Sequence, residues 1–281
     1  MTKTSNNPLR QFFRQPAIYL TLPSKGQYWA ADALVMPENG ELPIYPMTAI
    51  DEISYRTPDA LFNGQAVINV VQSCVPAIKD AGKIPSMDLN ALLVAIRIAS
   101  YGHNMDIAST CPACNNEDDF AADLRMVLDK LRCPDYTLAM DQGDLQIMFK
   151  PATYEESNKS SMEQFERQKY LQQASQSDQT EEERNRMLGE TLQYITELTM
   201  NLMVKSIAAI QIPGTVVTDA EQIKEFLQQS DRKLFKQIRD HVVELTQQSQ
   251  IKPLDVECTE CAHKYQQEMN LDMTSFFDNA S

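Results

Sequence analysis

Apolar positions along this chain change period several times, and each change marks a boundary between elements. Residues 17–22 form a short extended run, closed by the turn PSKG at 23–26 and followed by Tyr28 and Trp29. Residues 41–45 form a second run, which prolines at 43 and 46 confine to a sheet edge or an irregular strand. Ahead of both, residues 1–16 are largely polar, with Pro8 and the aromatic pair Phe12 and Phe13, and read as a flexible arm able to order against a partner.

The period then turns helical. Thr57 is a good cap ahead of Pro58 at a first helical position, and residues 59–63 read as a short turn or helix. Residues 66–75 put Val67, Val70, Val71 and Cys74 on one side and stop before Pro76. Ser86 reads as the cap of a helix over 88–101, in which Leu89, Leu92, Leu93, Ile96 and Ala99 make a broad apolar face ending at Gly102.

Residues 120–131 read as a strand passing into a helix, and 136–140 with 145–149 alternate around the turn DQGD as a half-buried hairpin beside the first cysteine pair. Two capping boxes, Thr153 with Glu156 and Thr180 with Glu183, predict helices over about 154–173 and 181–206, an antiparallel pair. The second carries Leu188, Leu192, Ile195, Leu198, Leu202 and Met203 on one face; the first, with Met162, Phe165 and Tyr170 and little else apolar, reads as a solvated strut.

Residues 207–212 and 215–217 flank Pro213 and Gly214 as a tight hairpin. Thr218 with Glu221 then predicts a helix to about 229, and 231–246 supplies another. Strands at 254–257 and 265–271 precede a loose tail, 272–281, that Phe276 and Phe277 could anchor. The expected fold is α+β and predominantly helical: a small N-terminal β region, a helical core and two β knuckles joined in one zinc ribbon-like site. Its units are an arm (1–16), an α+β unit (17–150), a helical hairpin with following helices (151–250) and a C-terminal knuckle with tail (251–281).

Composition narrows the function. A 281-residue chain that is 43% hydrophobic fills a sizeable core. The longest apolar run, 91–99, is broken by Arg97 and falls far short of the roughly 20 residues of a membrane span. The polar start lacks a secretory signal, so a reducing compartment is expected. With 39 acids against 25 bases, a net charge of −14 and no basic stripe, nucleic acid is an unfavoured partner. Eight glycines include no phosphate-cradling motif.

The chemistry lies in cysteine. Two C-x-x-C pairs, Cys111/Cys114 and Cys258/Cys261, stand some 140 residues apart. Each follows an extended run, is trailed by small or polar residues, and has an aromatic beyond it, Phe120 or Tyr265. Two intervening residues let a tight turn aim both sulfurs at one point, which makes half a site. Four thiolates make a whole one, for a single structural Zn2+ per chain. A redox dithiol fits less well, because Glu117, Asp118 and Asp119 would raise the thiol pKa of the first pair. His263 stands close enough to substitute, but four cysteines already close the shell. Cys74 reads as a small buried hydrophobe, and Cys133 has no informative spacing.

The strings LTLPSKGQY (20–28), LPIYPMTAIDE (42–52) and TPDALFNG (57–64), with Cys74 and Val75 after them, resemble the T4-type bacteriophage baseplate protein family. The resemblance is closest over 18–110. It implies a baseplate hub subunit or a hub assembly factor, located in the virion tail baseplate or in the host cytoplasm during assembly. Its partners would be other hub proteins or the tape-measure protein. It implies no enzymatic activity and brings no catalytic residues.

Two other readings follow from the residues alone. A zinc-ribbon binding module or regulator outside the virion would use the same cysteines. An enzyme would have only His103, His241 and His263 as neutral-pH bases, none in a recognisable catalytic string.

Overall fold

The two proline-bracketed runs pair with each other: β1 (Ile18–Leu20) and β2 (Leu42–Ile44) are antiparallel, with Tyr19 opposite Pro43. They open a computed structural model that describes residues 7–56, 64–175, 181–269 and 276–277. Among these, eight α-helices and four small sheets make a mixed α and β fold. The expected turn over 57–63 and the cap at Thr180 lie outside the described residues.

Alternate residues of β1 and β2 face inward, and Leu20, Leu42 and Ile44 lie in a core shared with the helices that follow. The first, α1 (Ala49–Tyr55), is opened by a capping box between Thr48 and Asp51. The second, α2 (Gln65–Cys74), buries Val67, Val70, Val71 and Cys74, the predicted face. The third, α3 (Ser86–Tyr101), begins earlier than its sequence suggests. Pro85 holds the cap position without a side-chain bond: its carbonyl accepts from Asp88 N–H at 2.9 Å and Leu89 N–H at 3.1 Å, and Ser86 N–H donates to Ala152 O at 3.0 Å, so backbone carbonyls take the donors that the Ser86 hydroxyl was expected to cap.

Phe276 and Phe277 complete this core, 0% and 1% exposed. Phe277 lies 5.7 Å from the Tyr55 ring, and Phe276 sits 5.4 Å from the buried Arg97 guanidinium, so both are core residues. At the other end, Pro8–Phe12 forms a 3-10 turn that leaves Phe12 and Phe13 exposed. Arg14 then pins the segment down: it donates to Pro46 O, to Ser73 O at 2.7 Å and Oγ at 2.8 Å, and pairs with Asp51 at 3.4 Å.

β3 (Asn104–Thr110), β4 (Glu117–Asp123) and α4 (Leu124–Lys130) follow as strand, strand and helix. The next hairpin, β5 (Met140–Gln142) and β6 (Leu145–Phe149), belongs elsewhere than expected. It forms one sheet, ordered β5-β6-β7-β8, with β7 (Ile207–Ile212) and β8 (Thr215–Val217), rather than a β element built onto the cysteine knuckles. That sheet carries a second core, in which Ile147, Phe149, Ile207 and Ile210 pack with Met203, Ile223, Leu227 and Ile238.

The helices of this second core are α6 (Glu181–Ser206), α7 (Ala220–Gln229) and α8 (Arg232–Gln248); α5 (Tyr154–Ser175) precedes them in the chain, with Tyr154 packed against the first core. The Thr153–Glu156 box is formed, with Thr153 N–H donating to Glu156 Oε2 at 2.9 Å. Two details differ from expectation. The cap of α7 is Asp219, which accepts from Gln222 N–H at 3.0 Å, because a carboxylate one residue on outcompetes the Thr218 hydroxyl. Ile195, placed on the packed face of α6, is exposed, and the described side chains of that helix that reach the second core, Met200, Met203 and Val204, lie near its C-terminal end.

Candidate metal centre

Leu20, Leu22, Leu42 and Ile44 of the strings that carry the family resemblance share the first core with Met105, and Ile107 and Leu254 of the cysteine-bearing hairpins pack against it. Within LTLPSKGQY, Lys25, Gly26 and Tyr28 all have positive φ, and a Cβ on Gly26 would come within 2.8 Å of Met36 Cε. This cramped loop aims Ser24 and Trp29 at Asp88, fully buried in α3. The Asp88 carboxylate accepts from Ser24 N–H at 3.0 Å, from Ser24 Oγ, and from Trp29 Nε1 at 2.7 Å. Burial nonetheless raises its pKa, the three hydrogen bonds only partly opposing this. Gly64, the last residue of TPDALFNG, has φ +75°, and its carbonyl accepts from Tyr154 Oη at 3.1 Å, which ties it to the start of α5.

The first cysteine pair sits in the turn between β3 and β4, closed by Thr110 opposite Glu117. The second sits between β9 (Leu254–Glu257) and β10 (Lys264–Gln267), closed by Glu257 opposite Lys264. The turns match position for position. Cys111 N–H donates to Asn116 O and Asn115 N–H to Cys111 O, each at 2.9 Å; Cys258 N–H donates to His263 O at 2.9 Å and Ala262 N–H to Cys258 O at 3.0 Å. Asn115 and Ala262, each just after the second cysteine, share the left-handed conformation with φ 57° and 55°. In both turns the first cysteine is buried and the second exposed.

The knuckles face each other. Cys111 Sγ lies 3.7 Å from Cys261 Sγ, Cys114 Sγ lies 3.6 Å from Cys258 Sγ, and all four sulfurs fall within 4.8 Å of one another. An ion about 2.3 Å from each of four sulfurs in a tetrahedron would space them about 3.8 Å apart, so the donor set fits such an ion. Side chains outside the sulfurs hold the pair of hairpins together. Ser109 Oγ meets Tyr265 Oη at 2.8 Å and donates to Gln267 Oε1, Thr259 Oγ1 donates to Asp118 Oδ2, and the Phe120 and Tyr265 rings meet edge to face at 6.5 Å.

Four thiols this close compete for protons. Backbone N–H groups of Cys261 and then Glu260 favour the Cys258 thiolate and lower its pKa to about 7. Cys114 is held up at about 12: the Asn116 N–H favours its thiolate, but the hydrogen bond shared with Cys261, together with burial, outweighs this.

All four predicted ligands therefore converge. His263 does not join them; its ring stacks on Tyr265 at 6.2 Å. Cys74 is buried, and burial raises its pKa to about 12, as suits an inert core thiol. Burial likewise raises Cys133, to about 11. Sequence reasoning missed Asn115 and Ala262 as paired left-handed positions and Ser109, Asp118 and Thr259 as cross-knuckle contacts. The common offset of 147 residues between the two turns is the signal that could have exposed the first two.

This is an α and β protein in which two C-x-x-C turns bring four cysteine sulfurs together, with no helix among the described residues long and apolar enough to cross a membrane. The family model for the T4 bacteriophage base plate protein matches residues 9–278, and the chain belongs to that family. No curated protein and no solved structure matches it.

Proposed function

We propose that this chain is a non-enzymatic structural or assembly component of the hub of a contractile phage tail baseplate, held in shape by one structural Zn2+ on Cys111, Cys114, Cys258 and Cys261. The observation that carries this reading is that the family match, 9–278, runs through both knuckles. The sulfur cluster is thus part of the base plate protein body rather than an appended module. Four thiolates complete a tetrahedral shell and leave no position for substrate or water, which suits a structural ion.

The partners in this reading are other hub proteins or the tape-measure protein, met in the assembled tail or in host cytoplasm during assembly. Mass spectrometry of mature phage particles and of unassembled hub intermediates tests it. The chain is expected in at least one of them at fixed stoichiometry with hub proteins. Its absence from both would remove the hub role.

A further inference from the structure

The second core is not closed. A cavity of about 480 Å³ opens between α6, α8 and β6. Phe149, Met203, Leu245 and Tyr136 form its buried floor, and Val243, 46% exposed, stands at its mouth. Along α8 the lining runs from Arg239 to Gln247, about 12 Å at 1.5 Å per residue, with Gln250 just beyond the helix end, and it follows α6 from Thr199 to Ser206. A groove of that length between two helices matches about two turns of a third.

The polar groups of the lining have a consistent character. Thr199, Ser206 and Thr246 turn their hydroxyl protons back onto Ile195 O, Leu202 O and Val242 O of their own helices. Among the described residues Lys150 and Arg239 are the charged groups of the lining, and no Asp or Glu lines it, although acids outnumber bases 39 to 25 in the chain. Lys150 makes no ion pair among the described residues; Arg239 shares its guanidinium with the exposed Asp240 at 2.6 Å. The apolar floor and cationic rim complement an apolar stripe flanked by carboxylates.

We propose that this groove receives an amphipathic helix of a partner protein, one that presents large apolar side chains at helical spacing with Asp or Glu beside them to meet Lys150 and Arg239. A protein occupant is favoured over a small amphiphile because the groove continues over two turns of both α8 and α6 and because the family is one of base plate proteins, which work in contact with other proteins. The proposal is independent of the cysteine cluster.

The test is selection from a helical peptide library on the full-length chain, followed by titration of the enriched peptides against wild type, Val243→Trp and Lys150→Glu. Both positions are at the surface, and melting curves confirm that the variants fold. Enriched peptides are expected to share spaced apolar residues with acidic flanks and to bind each variant at least tenfold more weakly. Enrichment without acids, binding unchanged in both variants, or no enrichment would overturn the proposal. So would displacement of the peptides by laurate at micromolar concentration, which would assign the cavity to an amphiphile, or by a second copy of the chain.

Discussion

Cys111 and Cys261 are 150 residues apart in the chain, yet their Sγ atoms lie 3.7 Å apart, closer to each other than a chance meeting of two turns requires. The second such pair, Cys114 and Cys258, crosses in the same sense at 3.6 Å, so each knuckle gives one buried and one exposed sulfur to a shared centre. The hairpins beneath them are equivalent in register and in turn geometry. What each knuckle lacks is the other.

The equivalence of the turns singles out Ala262. Asn115 tolerates the left-handed region, whereas alanine there carries a steric cost of about 1 kcal/mol. Ala262→Gly is therefore expected to raise stability by about 0.5–1 kcal/mol and Asn115→Gly to change it little. Urea unfolding of the two variants checks the contrast, and a loss of stability on Ala262→Gly would refute it.

Arg14 holds the N-terminal segment by a fork that a lysine cannot reproduce, spanning Pro46 O, both Ser73 oxygens and Asp51. Arg14→Ala is expected to cost about 2 kcal/mol, the pair with Asp51 being partly solvent-screened, with Arg14→Lys recovering only a part. Denaturant midpoints of the three proteins decide this.

Asp88 gives a pH signature. Its pKa is raised above the ordinary 3.8 by burial, so the folded state holds the proton more tightly than the unfolded state. Its contribution is full below about 3.8 and is lost as pH rises through the higher folded value. Asp88→Asn removes that slope from the stability profile above pH 3.8. It also sets an amide N–H against the Ser24 N–H, which is expected to cost about 2 kcal/mol at neutral pH. Urea midpoints taken from pH 4 to 7 on both proteins show whether the slopes differ.

Phe276 is fully buried against Arg97 and Phe277. Phe276→Ala is expected to lower stability by about 3–5 kcal/mol. A change below 1 kcal/mol, read from thermal or urea unfolding, would show that the C-terminal residues are not part of the core.

What was legible in the sequence was what local chemistry dictates. The C-x-x-C spacing, the capping box at Thr153, the turn at Gly214 and the alternation over Leu145, Ile147 and Phe149 each depend on neighbours a few residues away, and each appears where expected. Long-range partners were not legible. Nothing near Asp88 announces that Ser24 and Trp29 will satisfy it, and nothing in the β5–β6 hairpin says that β7 will extend it. Phe276 and Phe277 follow a polar stretch that masks their burial, and Ile195 has helical periodicity but no core opposite it. That the four cysteines share one centre was legible only because a half-site is chemically incomplete.

Metal content and stability measured together on one pair of proteins test the central claim most directly. The wild-type chain is expected to carry one zinc per chain by elemental analysis and to lose thermal stability on chelation. Cys258→Ser is expected to bind no stoichiometric zinc and to melt at the lower temperature with or without chelator. A wild-type chain without stoichiometric zinc, or a Cys258→Ser variant that loses its zinc and melts unchanged, would contradict a structural ion on these four cysteines.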